Sequence, residues 1–148
     1  TVVGKSNTDP AEVIRRLFNE VFNKMDLAVA DEIMAPLYVG HDPPNSSETV
    51  NGPAGMALSA RNMRAAFPDG EFVVMDIFAT EDRVAARLEF RGTHLGDLST
   101  PNDSIVAKGQ KVAISGIVLY RVMNGRIAES WGCWDQRGLR TQLRGVNT

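Results

Sequence analysis

His41, His94, Cys133 and Asp135 are the side chains of this sequence best suited by type to move a proton or attack a carbon. They are few: two histidines and one cysteine in 148 residues, beside 18 Asp and Glu and 16 Lys and Arg. So small a stock suits acid–base chemistry, in which one group removes a proton alpha to a carbonyl and another donates to the oxygen that gains charge. Asp135 is the first candidate for the base. On an unbroken strand it shares a face with Trp131 and Cys133, and an indole and a thiol would strip water from the carboxylate and strengthen it as a base. The same aspartate stands where it could N-cap a short helix over 138–143. His94 follows Leu88 and Phe90 on an apolar strand face, which points it inward as a proton donor or as a packed imidazole bonded to a backbone carbonyl. His41 borders a proline-rich stretch, from which it could overhang a pocket or organise the loop. Cys133 has no basic neighbour in sequence and reads as a small packed residue. Glu129 reads as solvated or ion-paired.

Composition narrows the classes of function. The charge balance of 16 − 18 = −2 argues against nucleic acid and against anionic lipid as partners. One cysteine rules out an intrachain disulfide, and with two histidines it leaves no multi-ligand metal site, so neither metal nor cofactor is expected. No run reaches the roughly 18 apolar residues of a membrane helix. The polar stretch 1–8 lacks the apolar core of a secretion signal and reads as a flexible tail, so a cytoplasmic protein is expected. Gly52-Pro53-Ala54-Gly55 lacks the Lys-Ser/Thr of a phosphate loop and reads as a helix start.

The elements that would position these groups divide the chain in two. Asp9-Pro10-Ala11-Glu12 is a helix start, and behind it Val13, Ile14, Leu17, Val21 and Phe22 form one apolar stripe ending near Lys24. A second helix is expected over 27–34 under an Asp26 cap. Residues 38–52, with Pro43, Pro44, Asn45, Ser46 and Ser47, read as mostly loop. A third helix is expected over 53–67, burying Met56, Leu58, Ala60, Met63 and Phe67. Strands follow over 72–80 and 83–94. In the second of these Val84, Ala86, Leu88, Phe90 and His94 take one face, and Arg83, Arg87, Glu89 and Arg91 the other. Those charges read as cross-strand ion pairs contributing under ~1 kcal/mol each. Residues 96–104 read as loop. Strands over 111–122 and 126–134 flank Asn124-Gly125, a type I′ hairpin signal, and a helical turn over 138–143 closes the chain.

Helices followed by long antiparallel strands predict a single α+β domain over 1–148, a curved sheet with three N-terminal helices across its concave face. The mouth of that cone would be a pocket for a hydrophobic small molecule, with Tyr38, Phe90, Trp131 and Trp134 as walls. Met25, Met34, Met56, Met63 and Met75 fit packing, and any that reach the cavity would suit a large flat ligand.

Several separated stretches are also familiar in order and spacing. They are Val21-Phe22-Asn23-Lys24, Asp26 to Glu32, Tyr38 to Pro43, Arg91-Gly92-Thr93-His94, Ile127 to Trp131 and Trp134 to Leu139. Together they resemble the SnoaL-like polyketide cyclase (ester cyclase) family of the nuclear-transport-factor-two-like superfamily, over about 12–143. The resemblance implies an α+β cone (an α+β barrel), paired into homodimers or homotetramers across the sheet. It also implies ring closure of an apolar ester by intramolecular aldol condensation, without metal or cofactor. The family's acid/base aspartate near the end of the last strand corresponds to Asp135. Its histidine on the preceding strand has no counterpart, since 111–135 offers Ser115, Ile117, Leu119 and Arg121 instead. Isomerisation, dehydration or epoxide opening are rival chemistries on the same scaffold. Epoxide opening would need an inward arginine between two carboxylates, whereas the alternation sends Arg87 and Arg91 outward. A cavity with Asp135 turned away to cap the helix would instead favour a non-catalytic binding domain.

Overall fold

A computed structural model of the chain describes residues 9–41, 51–100 and 103–144. The tail expected over 1–8 and the proline-rich stretch at 43–47 lie outside the described residues.

Helix α1 (Pro10–Arg16) starts where the sequence signals it, with Asp9 Oδ1 accepting from the Ala11 amide at 3.1 Å and Pro10 in the first turn. It does not end as an α-helix. The chain continues as a π-helix over Leu17–Phe22, in which the Asn23 amide reaches back five residues to the Phe18 carbonyl at 2.9 Å. The wider winding turns Leu17, Phe18 and Val21 fully inward, and Phe18 and Phe22 stack at 5.8 Å. Helix α2 (Ala28–Ile33) has no side-chain cap. Asp26 serves it through its backbone carbonyl, which accepts from the Val29 amide, so the expected carboxylate cap is absent.

The next eight residues form strand β1 (Met34–His41), which begins at a residue expected in the second helix and whose last four, 38–41, fall in the stretch that reads as loop. It pairs in parallel with the last strand of the chain, His41 standing opposite Trp131. Edge position explains why the sequence concealed it. Pro36 and the exposed Leu37 break the alternation, and a register irregularity falls between Met34 and Val39. Helix α3 (Gly52–Ala66) buries Met56, Ala60 and Ala66 but leaves Leu58 half exposed, against expectation.

Strands β2 (Glu71–Thr80) and β3 (Arg83–Thr93) form the expected long hairpin. A short ribbon, β4 (Leu98–Thr100) with β5 (Asp103–Ile105), lies where loop was expected. Strands β6 (Lys111–Met123) and β7 (Arg126–Trp134) are joined at Asn124 and Gly125, whose φ values of 54° and 75° are the paired left-handed conformations of a type I′ turn. The main sheet runs β1-β7-β6-β3-β2, antiparallel except at the β1–β7 pair, curved and not closed into a barrel.

The architecture is the expected α+β fold: among the described residues three N-terminal helices precede the sheet strands β2–β7 and a fourth helix follows them. Inward side chains of β3, β6 and β7 (Val84, Ala86, Leu88, Phe90, Val112, Ile114, Val118, Tyr120, Val122, Ile127) meet those of the helices in one core. The outward charges pair differently from the expected scheme: Arg87 does cross to Asp76 on β2 at 2.6 Å, but Arg91 bonds Glu89 of its own strand at 2.6 Å. The fourth helix, α4 (Gln136–Arg144), is longer than the expected turn. Leu143 anchors it in the core, and the Gln142 amide both accepts from the Ala113 N–H at 2.7 Å and donates to the Ala113 carbonyl at 3.0 Å.

Candidate functional site

A cavity of about 300 Å³ opens between the helices and the concave face of the sheet. The π-helical turn supplies Leu17, Phe18 and Phe22, and α3 supplies Met56, Ser59 and Met63. The sheet contributes Tyr38 from β1, Phe72 and Phe90 from β2 and β3, Ile114, Val118 and Tyr120 from β6, and Ser130, Gly132 and Trp134 from β7. Gln136 and Leu139 of α4 complete the wall. Phe72 is the hinge of an aromatic cluster, 4.8 Å from Phe90, 5.0 Å from Phe22, 5.3 Å from Phe18 and 5.8 Å from Trp134. Among the described residues no Asp, Glu, His, Cys, Lys or Arg lines this cavity. Among the described residues its polar side-chain atoms belong to hydroxyls, one amide and one indole. Three hydroxyls gather on one wall. Tyr120 and Ser130 face each other across the β6–β7 pair, and Tyr38 Oη lies 2.5 Å from Ser130 Oγ.

Of the four walls expected from the sequence, Tyr38, Phe90 and Trp134 line the cavity and Trp131 does not. Trp131 and Trp134 are three residues apart on one strand and cannot share a face. What decides between them is a β-bulge. Arg121 pairs with Glu129 but Val122 pairs with Ile127, so Ala128 is an extra residue on β7. Ile127 points inward, and past the bulge the inward positions become Ser130, Gly132 and Trp134. The strand is therefore not unbroken, and Trp131 and Cys133 lie on the outer face.

The three acid–base candidates are not brought together. Asp135 is exposed just after β7, between the cavity-lining Trp134 and Gln136, and its Oδ1 accepts from the Gly138 amide at 2.8 Å. That bond is the helix-capping arrangement, at the start of α4. His41 lies on the outer face of the sheet. Its ring stacks on Trp131 at 5.2 Å and 13°, and its Nε2 is 2.9 Å from Glu129 Oε2. Glu129 is also gripped by Arg121, at 2.6 Å and 2.9 Å. The hydrogen bond from His41, then that from Arg121, holds the Glu129 carboxyl below its ordinary range. His94 is inward and fully buried, yet it lies behind the cavity wall, 5.5 Å from Phe67. Neither ring nitrogen has a hydrogen-bond partner among the described residues, so the expected bond to a backbone carbonyl is absent. Only its main chain is engaged, with Gln110 and Gly109.

Ser130, Tyr120 and Phe72 belong to the site although no motif singles them out. The alternation of β6 suffices to aim Tyr120 inward, but Ser130 depends on the bulge and carried no signal. Of the six methionines, Met56 and Met63 reach the cavity. Among the described residues no three His, Cys, Asp or Glu side chains gather as a metal ion would require, and no helix is long and apolar enough to cross a membrane.

Comparison with solved structures places this geometry among known proteins. Wild-type IdmH of Streptomyces antibioticus, a proposed polyketide cyclase, is 30% identical with a TM-score of 0.76, over 93% of this chain and 99% of that one. AclR of Streptomyces galilaeus, a proposed hydroxylase, is 26% identical with a TM-score of 0.72, over 93% and 82%. A Catenulispora acidiphila protein with a ketosteroid-isomerase-like fold shares the fold at 11% identity, with a TM-score of 0.71 over 90% and 92%. A comparison with curated proteins finds no match. The family model for the SnoaL-like polyketide cyclase matches residues 12–143, and the chain belongs to that family.

Proposed function

We propose that this protein takes a largely apolar, carbonyl-bearing small molecule into its cavity and closes a ring in it by an intramolecular aldol step, without a cofactor. The observation that carries the reading is the cavity itself, a largely aromatic and aliphatic chamber in a chain of the cyclase family. Rings of Phe18, Phe22, Phe72, Phe90 and Trp134 would hold a flat ligand and fix the fold of its chain, so that the reacting carbons meet. Asp135 is the proposed base. It sits beside two lining residues, and the oxygen that does not cap α4 is the one that could take a proton from a ligand at the mouth. The exposed Ile117, Leu119 and Trp131 on the outer sheet face support pairing of two or four copies there.

A second reading has a specific observation in its favour. No Asp, Glu, His, Cys, Lys or Arg lines the cavity among the described residues and Asp135 caps a helix, which is what a non-catalytic binding domain would show. Asp135→Asn separates the two, because an asparagine oxygen still accepts from the Gly138 amide. The cyclase reading requires that this variant fold, bind and fail to turn over aromatic polyketide esters that the wild type cyclises. Equal turnover by both proteins refutes Asp135 as base, and binding without turnover by the wild type establishes the second reading.

A further inference from the structure

Two inward glycines stand on neighbouring strands, and they differ in what a side chain would meet there. Gly116 on β6 lies beneath the indole of Trp134, which fills the place a side chain would take. Gly132 on β7 lines the cavity between Ser130 and Trp134. A Cβ added at Gly132 would meet Trp134 Nε1 and Val118 Cγ2 at 3.6 Å and Trp134 Cδ1 at 3.7 Å, ordinary van der Waals distances. Its φ also lies outside the positive region that favours glycine. Neither packing nor backbone conformation therefore calls for glycine at this position. We infer that Gly132 determines which ligands fit: a flat, fused-ring molecule lies against its bare backbone, where any side chain would displace it. This deepens the small-molecule reading above and rests on it.

A glycine inside a strand is unfavourable on its own account, because it loses more conformational freedom on folding than other residues and gives up a side chain's packing. Such a residue persists where another group must come close to the backbone. At Gly132 the direction of approach is fixed. Val118 stands opposite it in register, and Val118 and Trp134 both line the cavity, so the missing side chain would project into the chamber. The indole is a rigid ring that lies across Gly116 and meets Phe72 edge-on at 5.8 Å and 72°, so it does not swing over the gap. What remains is a shelf of bare peptide bordered by a methyl of Val118 and the pyrrole edge of Trp134. A planar ring rests on such a surface at a carbon contact distance of about 3.5–4.0 Å. A Cβ stands one carbon–carbon bond, about 1.5 Å, above that shelf and pushes the ring away. Size decides which ligands feel it. In a cavity of about 300 Å³ a single ring can move off the shelf, whereas two fused rings have less room to shift. A flexible chain bends around a methyl and a rigid fused ring does not, so flat polycyclic molecules are the class this glycine admits.

The test measures, by titration calorimetry, binding of acetophenone and 2-acetylnaphthalene to wild type and to Gly132→Ala, together with the Tm of both proteins. The two ketones carry the same acetyl group on one ring and on two fused rings. Gly132→Ala should keep or raise the Tm, because the site accepts a methyl and alanine leaves the unfolded chain less free. The same variant should weaken 2-acetylnaphthalene by about 5- to 100-fold, the range of overpacking a filled site, and leave acetophenone nearly unchanged. A protein that is no less stable yet binds the larger ketone worse separates this role from a structural one, since a glycine kept for the bend or packing of β7 would lose Tm on gaining a Cβ. A Tm below wild type, an unchanged affinity for 2-acetylnaphthalene, or the same loss for both ketones overturns the inference, while binding by the wild type leaves the cavity reading standing. A wild type that binds neither ketone overturns both.

Discussion

Gly116 offers the sharpest test of how the cavity wall is built. It lies on β6 directly opposite Trp134, and the indole lies across it. A Cβ added at Gly116 would come 2.4 Å from Trp134 Cδ2, 2.5 Å from Cε3 and 3.0 Å from Cε2. No atom pair tolerates such distances, and a fused ring flanked by Phe72 cannot give way as the end of a flexible chain can. Overpacking of this kind costs about 1–3 kcal/mol. Glycine to alanine at a backbone position that accepts alanine works the other way, stabilising by about 0.4–1 kcal/mol through the unfolded chain. The net expectation for Gly116→Ala is a loss of about 1–2 kcal/mol, or a Tm lower by roughly 2–8 °C in a chain of this size. Calorimetry or urea unfolding measures the loss, and a shifted indole emission shows that the ring has moved. The sign is decisive, because an open site would make the alanine stabilising. Trp134→Leu in the Gly116→Ala background should remove most of the penalty, giving a large coupling between the two sites. A Gly116→Ala protein as stable as wild type with unchanged emission, or penalties that simply add, would refute the contact.

Leu143→Ala tests the anchor of α4, the helix that carries Gln136 and Leu139 to the cavity. Deleting this fully buried side chain should cost about 2–5 kcal/mol in urea unfolding, and a loss below about 1 kcal/mol would mean that α4 is held by something else. Asp69 in the turn before β2 accepts from the Thr93 hydroxyl and the Thr93 amide, both at 2.7 Å, bonds that hold its carboxyl below the ordinary 3.8. A lowered folded-state value means stabilisation that is complete above the unfolded value and fades as pH falls through the folded one. The stability gap between wild type and Asp69→Asn should therefore be widest above about pH 5 and close below it. A gap independent of pH would show that the charge of Asp69 is not what matters.

Much of the frame was legible because local rules and the global fold agree there. Val84, Ala86, Leu88 and Phe90 alternate cleanly because one face of β3 is core and the other carries solvated charges. Asn124-Gly125 forces its hairpin because few other pairs accept two positive φ angles. Asp9-Pro10 begins a helix by the same short-range logic. The site was only half legible. Tyr38, Phe90 and Trp134 are large and aromatic, and burial of such side chains is a safe expectation wherever a cavity exists. Their partners were hidden by features with no local signature: π-winding at Leu17, an edge strand broken at Pro36, and an extra residue at Ala128.

That last feature divides what the sequence by itself determined from what the tertiary structure decided. Sequence determined the α+β class, the helix-then-strand order, the small stock of ionisable groups and the membership of a family. Each depends on composition or on a periodicity spanning many residues, which one irregularity cannot erase. Facing is different. In a strand of period two, a single bulged residue reverses every side chain beyond it, and a bulge is chosen by how β7 must follow both β6 and β1. The tertiary structure thus turned Trp131 out to stack on His41, turned Ser130 in to meet Tyr38, and left Asp135 at the rim, capping a helix.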